Sequence, residues 1–138
     1  TDVQYAHVYE LINKCAQAIA KHVIQSEEAI AVFIERRSFP CEYLCAIYAI
    51  LQISCCYSVL NMTDPPQHFQ HVFELASINV VCICNSNAKA PFPISSKVLV
   101  DVTACADSKP KTICHEIPAT NLAYICFTSG STGRPKGV

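Results

Sequence analysis

The chain has 138 residues, 51% of them apolar and 15% charged, with a net charge of −1. That length suits one domain with one real core, and that balance is globular rather than disordered. Acids and bases are interspersed, so no basic stripe points to nucleic acid and no acidic tail to a cationic partner.

Val8, Leu11, Ile12, Cys15, Ala16, Ile19 and Val23 recur at steps of three and four, which predicts an amphipathic helix over 7–25. Ala29 to Ile34 is a continuous apolar run after Glu27-Glu28, read as a strand buried on both faces. Pro40 in a first turn and Glu42 near the N-terminal dipole start a second helix, which runs to about Ile53. Ser54 to Leu60 reads as extended, Asp64-Pro65-Pro66 breaks it, and a third helix follows from Pro66 to Ala76. Asn79 to Cys84 and Lys97 to Val102 are strands, separated by a polar, proline-containing loop over 85–96. The stretch 107–121 is a proline-punctuated connector, and Leu122 to Phe127 is the last strand, directly before a glycine-rich loop. Helices alternating with apolar strands imply an α/β fold with a mostly parallel sheet and helices on both faces.

Ten cysteines raise the question of a disulfide scaffold. Their placement argues against one. Cys15, Cys41 and Cys45 sit in helical patterns, and Cys82, Cys84 and Cys126 in apolar strands, where free cysteine behaves as a small hydrophobe. No C-x-x-C occurs and no Cys/His spacing suits structural zinc, so no metal ligands are assigned. The expectation is reduced, buried thiols in a reducing compartment, the cytoplasm. His115 beside Glu116 reads as a surface residue of the connector. From Tyr43 to Thr63 no side chain is charged, a length that could span a bilayer. Gln52, Ser54, Ser58 and Asn61, without flanking Lys/Arg bias, speak against that span.

The strongest motif is Thr128-Ser129-Gly130-Ser131-Thr132-Gly133-Arg134-Pro135-Lys136-Gly137, which holds all three glycines of the chain. Glycine allows positive φ and lets backbone approach a ligand closely. Backbone N–H groups, four hydroxyls and the Lys136 cation are the parts of a phosphate cradle. The loop is not the Walker type, because Pro135 precedes Lys136 and no Ser or Thr follows it. A flexible Ser/Gly linker rarely follows an apolar strand directly or ends in Pro-Lys-Gly.

Leu122-Ala123-Tyr124-Ile125, Phe127 to Gly133 and Pro135 to Val138 resemble the phosphate-loop signature of the adenylate-forming superfamily. That superfamily holds acyl-CoA synthetases, firefly luciferase and the adenylation domains of nonribosomal peptide synthetases, and the amino-acid-adenylating branch is the most similar. Upstream, Tyr5, Leu11 and Ala16, then Ala31 to Arg36, then Ala49-Ile50-Leu51, Tyr57, Leu60 and Pro65 resemble that branch's opening segments. The chain departs where Ser54 and Cys55 replace glycines, Val59 and Met62 replace prolines, Asn61 replaces an acid and His68 stands where Arg is usual.

The resemblance implies that 1–138 is a partial adenylation domain, ending after the phosphate loop of a large N-terminal subdomain. Thr1 in place of Met and an end at Val138 lead to the same expectation of a piece of a longer protein. The implied reaction joins a carboxylate to the α-phosphorus of ATP with release of pyrophosphate. A thiol or amine then takes the acyl group, from coenzyme A or from phosphopantetheine on a downstream carrier domain. Thr128, Ser129, Gly130, Ser131, Thr132, Gly133, Lys136 and Gly137 are the implied ATP-binding residues, with Lys136 also the catalytic cation. Thr128 has a second reading as the end of the strand, and Arg134 reads as a solvent-exposed side chain. The ligands for Mg2+ would lie downstream. An acyl- or aryl-CoA synthetase and a catalytically inactive relative remain open alternatives.

Overall fold

The computed structural model describes residues 2–85, 90–92, 94–107, 109, 116–129 and 133–138. Helix α1 is Tyr5–Ala20 and buries Leu11, Cys15, Ala16 and Ile19 along one stripe. Each large aliphatic side chain so buried stabilises the fold by about 1.5–3 kcal/mol. The helix stops short of the predicted residue 25. Glu28 Oε1 accepts hydrogen bonds from the Ile24 and Gln25 N–H groups, both at 2.8 Å, and this turn replaces the last helical turn.

Strand β1 (Ala29–Phe33) is followed by α2 (Pro40–Gln52), β2 (Cys56–Val59), α3 (Pro66–Leu75), β3 (Val80–Ile83) and β4 (Val98–Asp101). Pro40 and Pro66 both stand at first helical positions, where a missing N–H costs nothing. The uncharged stretch from Tyr43 to Thr63 divides into most of α2 and β2. No described helix is long and apolar enough to cross a membrane.

The four strands form a parallel sheet in the order β2-β1-β3-β4, with Ala31 opposite both Ser58 and Val81. The chain steps from β1 to β2 in one direction, then returns across β1 to β3. Right-handed crossovers therefore place α2 and α3 on opposite faces. Side-chain alternation follows this division. Ile30, Val32, Val80 and Cys82 face a core with Leu11, Cys15, Ile19, Cys45 and Ile50. Ala31, Cys56 and Val81 face a second core with Phe69, Val72 and Phe73. In that second core Phe92 meets Phe33, Phe69 and Phe73 edge to face, at 5.3, 5.7 and 5.2 Å between ring centres.

The predicted last strand takes a different form. Tyr124 makes one parallel bridge to Tyr57 of β2, with the Tyr57 N–H donating to Ala123 O and the Ile125 N–H to Tyr57 O. The chain then enters β5 (Phe127–Ser129), which pairs antiparallel with β6 (Pro135–Gly137). Ser129 and Pro135 to Gly137, expected as loop, are thus strand, and Thr128 lies in β5, in line with its second reading as strand. The cause is the second ladder, in which Cys126 and Val138 exchange both backbone hydrogen bonds.

The thiols follow the expectation in part. Cys15, Cys45, Cys55, Cys56, Cys82, Cys84 and Cys105 are buried, Cys41 is half-buried, and the described cysteines form no disulfide with one another. Cys126 is exposed, because its segment lies at the edge of the sheet and its backbone pairs with the chain end at Val138. Cys114 and His115 lie outside the described residues.

Candidate functional site

The segment through Tyr124 makes one parallel bridge to β2 and leads directly into the β5–β6 hairpin. The hairpin is anchored from below. Ile125 and Phe127 pack against the core on the α3 side, and Pro135 is buried. Tyr124 and Tyr57 stack at 5.8 Å between ring centres. Glu27 Oε1 accepts a hydrogen bond of 2.8 Å from the Leu122 N–H, tying the approach segment to the start of β1.

The ladder has a chemical order. The hydrogen-bonded pair at Cys126 and Val138 makes Phe127–Gly137 and Ser129–Pro135 the positions between hydrogen-bonded pairs. Pro135 therefore stands where its missing N–H leaves no gap in the ladder. Thr128 lies directly opposite Lys136, so their side chains share one face of the hairpin. Both are exposed. The Thr128 hydroxyl donates to the Lys136 carbonyl at 3.5 Å. Among the described residues neither Lys136 nor Arg134 has an ion-pair partner.

Two glycines have separate structural reasons. Gly133 has φ +77° and open space where a Cβ would stand, as a tight turn requires. Gly137 packs closely: a Cβ there would lie 3.3 Å from Ile125 Cγ2 and from Phe127 Cε1. Of the residues expected to hold phosphate, Thr128, Gly133, Lys136 and Gly137 are brought together on this hairpin, with the Ser129 backbone in β5. Gly130, Ser131 and Thr132 lie outside the described residues. The arrangement presents a hydroxyl and a cation on one solvent-facing side of a turn.

Sequence reasoning missed Glu27 as the anchor of Leu122. Its only signal was the charged pair before β1. The described residues hold no group of three or more His, Cys, Asp or Glu side chains able to hold a metal, so they supply no ready site for Mg2+.

The sequence matches the family described as AMP-binding enzyme over residues 1–138. It is 27% identical over 137 residues to phenyloxazoline synthase MbtB of Mycobacterium tuberculosis, covering 99% of this chain and 9% of that protein. It is also 27% identical to surfactin synthase subunit 1 of Bacillus subtilis, covering 99% of this chain and 4% of that protein. The chain thus spans less than a tenth of either relative. Among solved structures, the Klebsiella oxytoca NpsA N-terminal subdomain aligns with a TM-score of 0.77 at 20% identity, over 100% of this chain and 35% of that one. The o-succinylbenzoate CoA synthetase MenE of Bacillus subtilis, in complex with an acyl-adenylate intermediate, aligns with a TM-score of 0.81 at 21% identity, over 100% of this chain and 36% of that one. These two likenesses establish the fold.

Proposed function

The chain belongs to the AMP-binding enzyme family, and we propose that its β5–β6 hairpin grips the phosphates of ATP in an enzyme that activates a carboxylate as its acyl-adenylate. The observation that carries this reading is the pairing of Thr128 with Lys136 on one exposed face beside the turn at Gly133. The hydroxyls of Thr128, Ser129, Ser131 and Thr132 and the backbone N–H groups from Gly130 to Gly133 donate to the β- and γ-phosphate oxygens. Lys136 neutralises charge as pyrophosphate departs. Nucleotidyl transfer depends mainly on such positioning and charge neutralisation. Gly137 acts by letting β6 lie close on Ile125 and Phe127.

The carboxylate is an amino acid or a related acid in this reading. Similarity at 27% identity to two synthases, MbtB and surfactin synthase subunit 1, supports that branch. The acyl acceptor is then the phosphopantetheine thiol of a carrier domain. The buried thiols, which form no disulfide among the described residues, support a reducing, cytoplasmic setting.

The test is carboxylate-dependent exchange of pyrophosphate into ATP by the intact protein, across a panel of amino, aryl and fatty acids. An amino or related acid should support exchange. Lys136→Ala should lower it by about 10²–10³-fold, the usual effect of removing one preorganised charge-stabilising donor. Its melting temperature should not move, because Lys136 is exposed. An unchanged exchange rate would remove Lys136 from the role. Exchange with fatty or aryl acids alone would favour a CoA synthetase, and no exchange with any acid an inactive relative.

A further inference from the structure

The turns that follow β1 and β2 meet outside the sheet. The two strands are parallel neighbours, with Val32 opposite Val59, so the chain leaves both at the same end. After β1 the Phe39 N–H donates to Glu35 O at 2.9 Å, which fixes a turn carrying Arg36 and Arg37. After β2 the Leu60 N–H donates to Val32 O at 3.0 Å and the Asp64 N–H to Asn61 O at 3.1 Å, which fixes a second turn. Both turns line a cleft of about 540 Å³, with Arg36 and Arg37 from the first and Asn61 and Met62 from the second. Ile34 and Leu60, both buried, back it.

We propose that this cleft binds a small amphipathic carboxylate, its apolar body on Val59, Met62 and Tyr43 and its carboxylate on Arg36 and Arg37. Charge selects the head group. Among the described residues neither arginine has an ion-pair partner. The acids nearby are turned elsewhere: Glu35, which also lines the cleft, accepts from the Ser38 hydroxyl, and Asp64 lies 3.5 Å from His68. Two guanidinium groups against one carboxylate leave the lining with a single positive charge, which a carboxylate neutralises and a phosphate dianion overshoots. The planar guanidinium fork takes a carboxylate in two parallel hydrogen bonds.

The rest of the lining selects the body. Val59 is 45% and Met62 41% exposed, large apolar side chains left open in the same cleft as the arginines. Tyr43 of α2 is half-buried beside them. The volume falls in the range of about 300–1,000 Å³ typical of small-molecule sites. Asn61 decides the sign of the site. In the branch that this chain resembles an acid stands at this position, and Val59 and Met62 replace prolines, so three of the chain's departures line one cleft. Asn61 Oδ1 accepts from the Thr63 N–H at 3.2 Å and from the Thr63 hydroxyl at 2.9 Å. An Asp would keep both bonds and put a second oxygen in place of the amide Nδ2. The amide donates to an anion, whereas the acid repels it and competes for the arginines. No lining residue belongs to the phosphate hairpin, so the site is independent of the role proposed for that hairpin.

The experiment irradiates the intact protein with para-benzoylbenzoate, an aryl carboxylate that carries a photoreactive ketone, and maps the labelled peptides by mass spectrometry. Position separates this cleft from a carboxylate site elsewhere in the protein, because label here falls on the peptides carrying Tyr43 or Met62. The expected result is labelling of those peptides that saturates with probe concentration and is displaced by octanoate but not by octanol. Below saturation, Arg36→Ala with Arg37→Ala and, separately, Asn61→Asp should each lower that labelling about tenfold or more, the effect of losing one charge-assisted hydrogen bond. The melting temperature of the Asn61→Asp protein should not fall, since its hydrogen bonds to Thr63 are kept. If the double arginine variant fails to fold, Asn61→Asp decides. Labelling that never saturates, displacement by octanol as readily as by octanoate, no label at Tyr43 or Met62, or undiminished labelling in Asn61→Asp would each overturn the proposal.

Discussion

Ser54 and Ser77 hold the same place in two Schellman motifs, one closing α2 and one closing α3. After α2, the Cys55 N–H donates to Ile50 O at 3.2 Å and the Ser54 N–H to Leu51 O at 3.1 Å. After α3, the Ile78 N–H donates to Phe73 O at 2.9 Å and the Ser77 N–H to Glu74 O at 3.3 Å. Both serines are left-handed, with φ 62° and 52°. Glycine is the usual residue there, because a Cβ in this conformation costs about 1–2 kcal/mol. Ser54→Gly and Ser77→Gly should each raise the unfolding free energy by about 1 kcal/mol after the extra chain entropy of glycine is deducted. The two lie after helices on opposite faces of the sheet, so their effects should add in urea denaturation. A loss of stability in either variant would mean that the serine side chain contributes more than its strain costs.

Ser58 presents the opposite situation, a polar atom without a purpose in the fold. It is 1% exposed on β2, and its Oγ has no hydrogen-bond partner. A buried hydroxyl left unsatisfied costs about 1–3 kcal/mol. Ser58→Ala removes that cost and only one atom of packing, so it should stabilise the protein by roughly 1 kcal/mol. Destabilisation would show that the hydroxyl is satisfied in solution, by a buried water.

These positions mark where sequence reading reached its limit. Periodicity placed α1, α2 and α3 and the four parallel strands within a few residues, because each buries a face whose spacing is visible in the chain. The concentration of glycine at 130, 133 and 137 singled out the candidate site for the same kind of local reason. What stayed hidden depended on pairing over long separations. Nothing local to Leu122 announces Glu27, and nothing in Thr128 announces Lys136 as its cross-strand partner. At Ser54 the glycine of the resembled pattern was the one signal of a special backbone, whereas nothing marked Ser77, whose φ of 52° is left-handed as well. The departure from glycine at Ser54 leaves the backbone shape intact and changes its cost.

The buried thiols make stability fall on the alkaline side. Burial, first among the causes, pushes Cys45 and Cys84 up to about 12 and Cys55 up to about 11, from an ordinary value of 9.0. Below 9.0 both folded and unfolded thiols are protonated and the contribution is complete. Above it the unfolded chain releases protons that the fold retains, so stability is lost until the folded thiols also ionise. Each such thiol costs at most about 1.4 kcal/mol per pH unit in that window. Urea midpoints should therefore drop steadily above about pH 9, and Cys55→Ala with Cys84→Ala should flatten the drop. Midpoints that stay level through the same range would rule the mechanism out.

Gly133 and Gly137 should separate function from packing. An alanine at Gly133 meets open space and suffers only the strain of φ +77°, whereas one at Gly137 pushes on Ile125 and Phe127 at 3.3 Å. Overpacking of that kind costs about 1–3 kcal/mol and loosens the hairpin from its support. Gly137→Ala should thus lower the melting temperature of the intact protein. Gly133→Ala should disturb mainly the backbone donors of the turn, lowering pyrophosphate exchange by about tenfold or more if these N–H groups hold phosphate. The discriminating measurement is exchange rate against melting temperature for both variants. If Gly133→Ala leaves exchange intact while Gly137→Ala abolishes it at unchanged stability, the backbone of the turn is not the phosphate cradle, and β6 itself must contact the nucleotide.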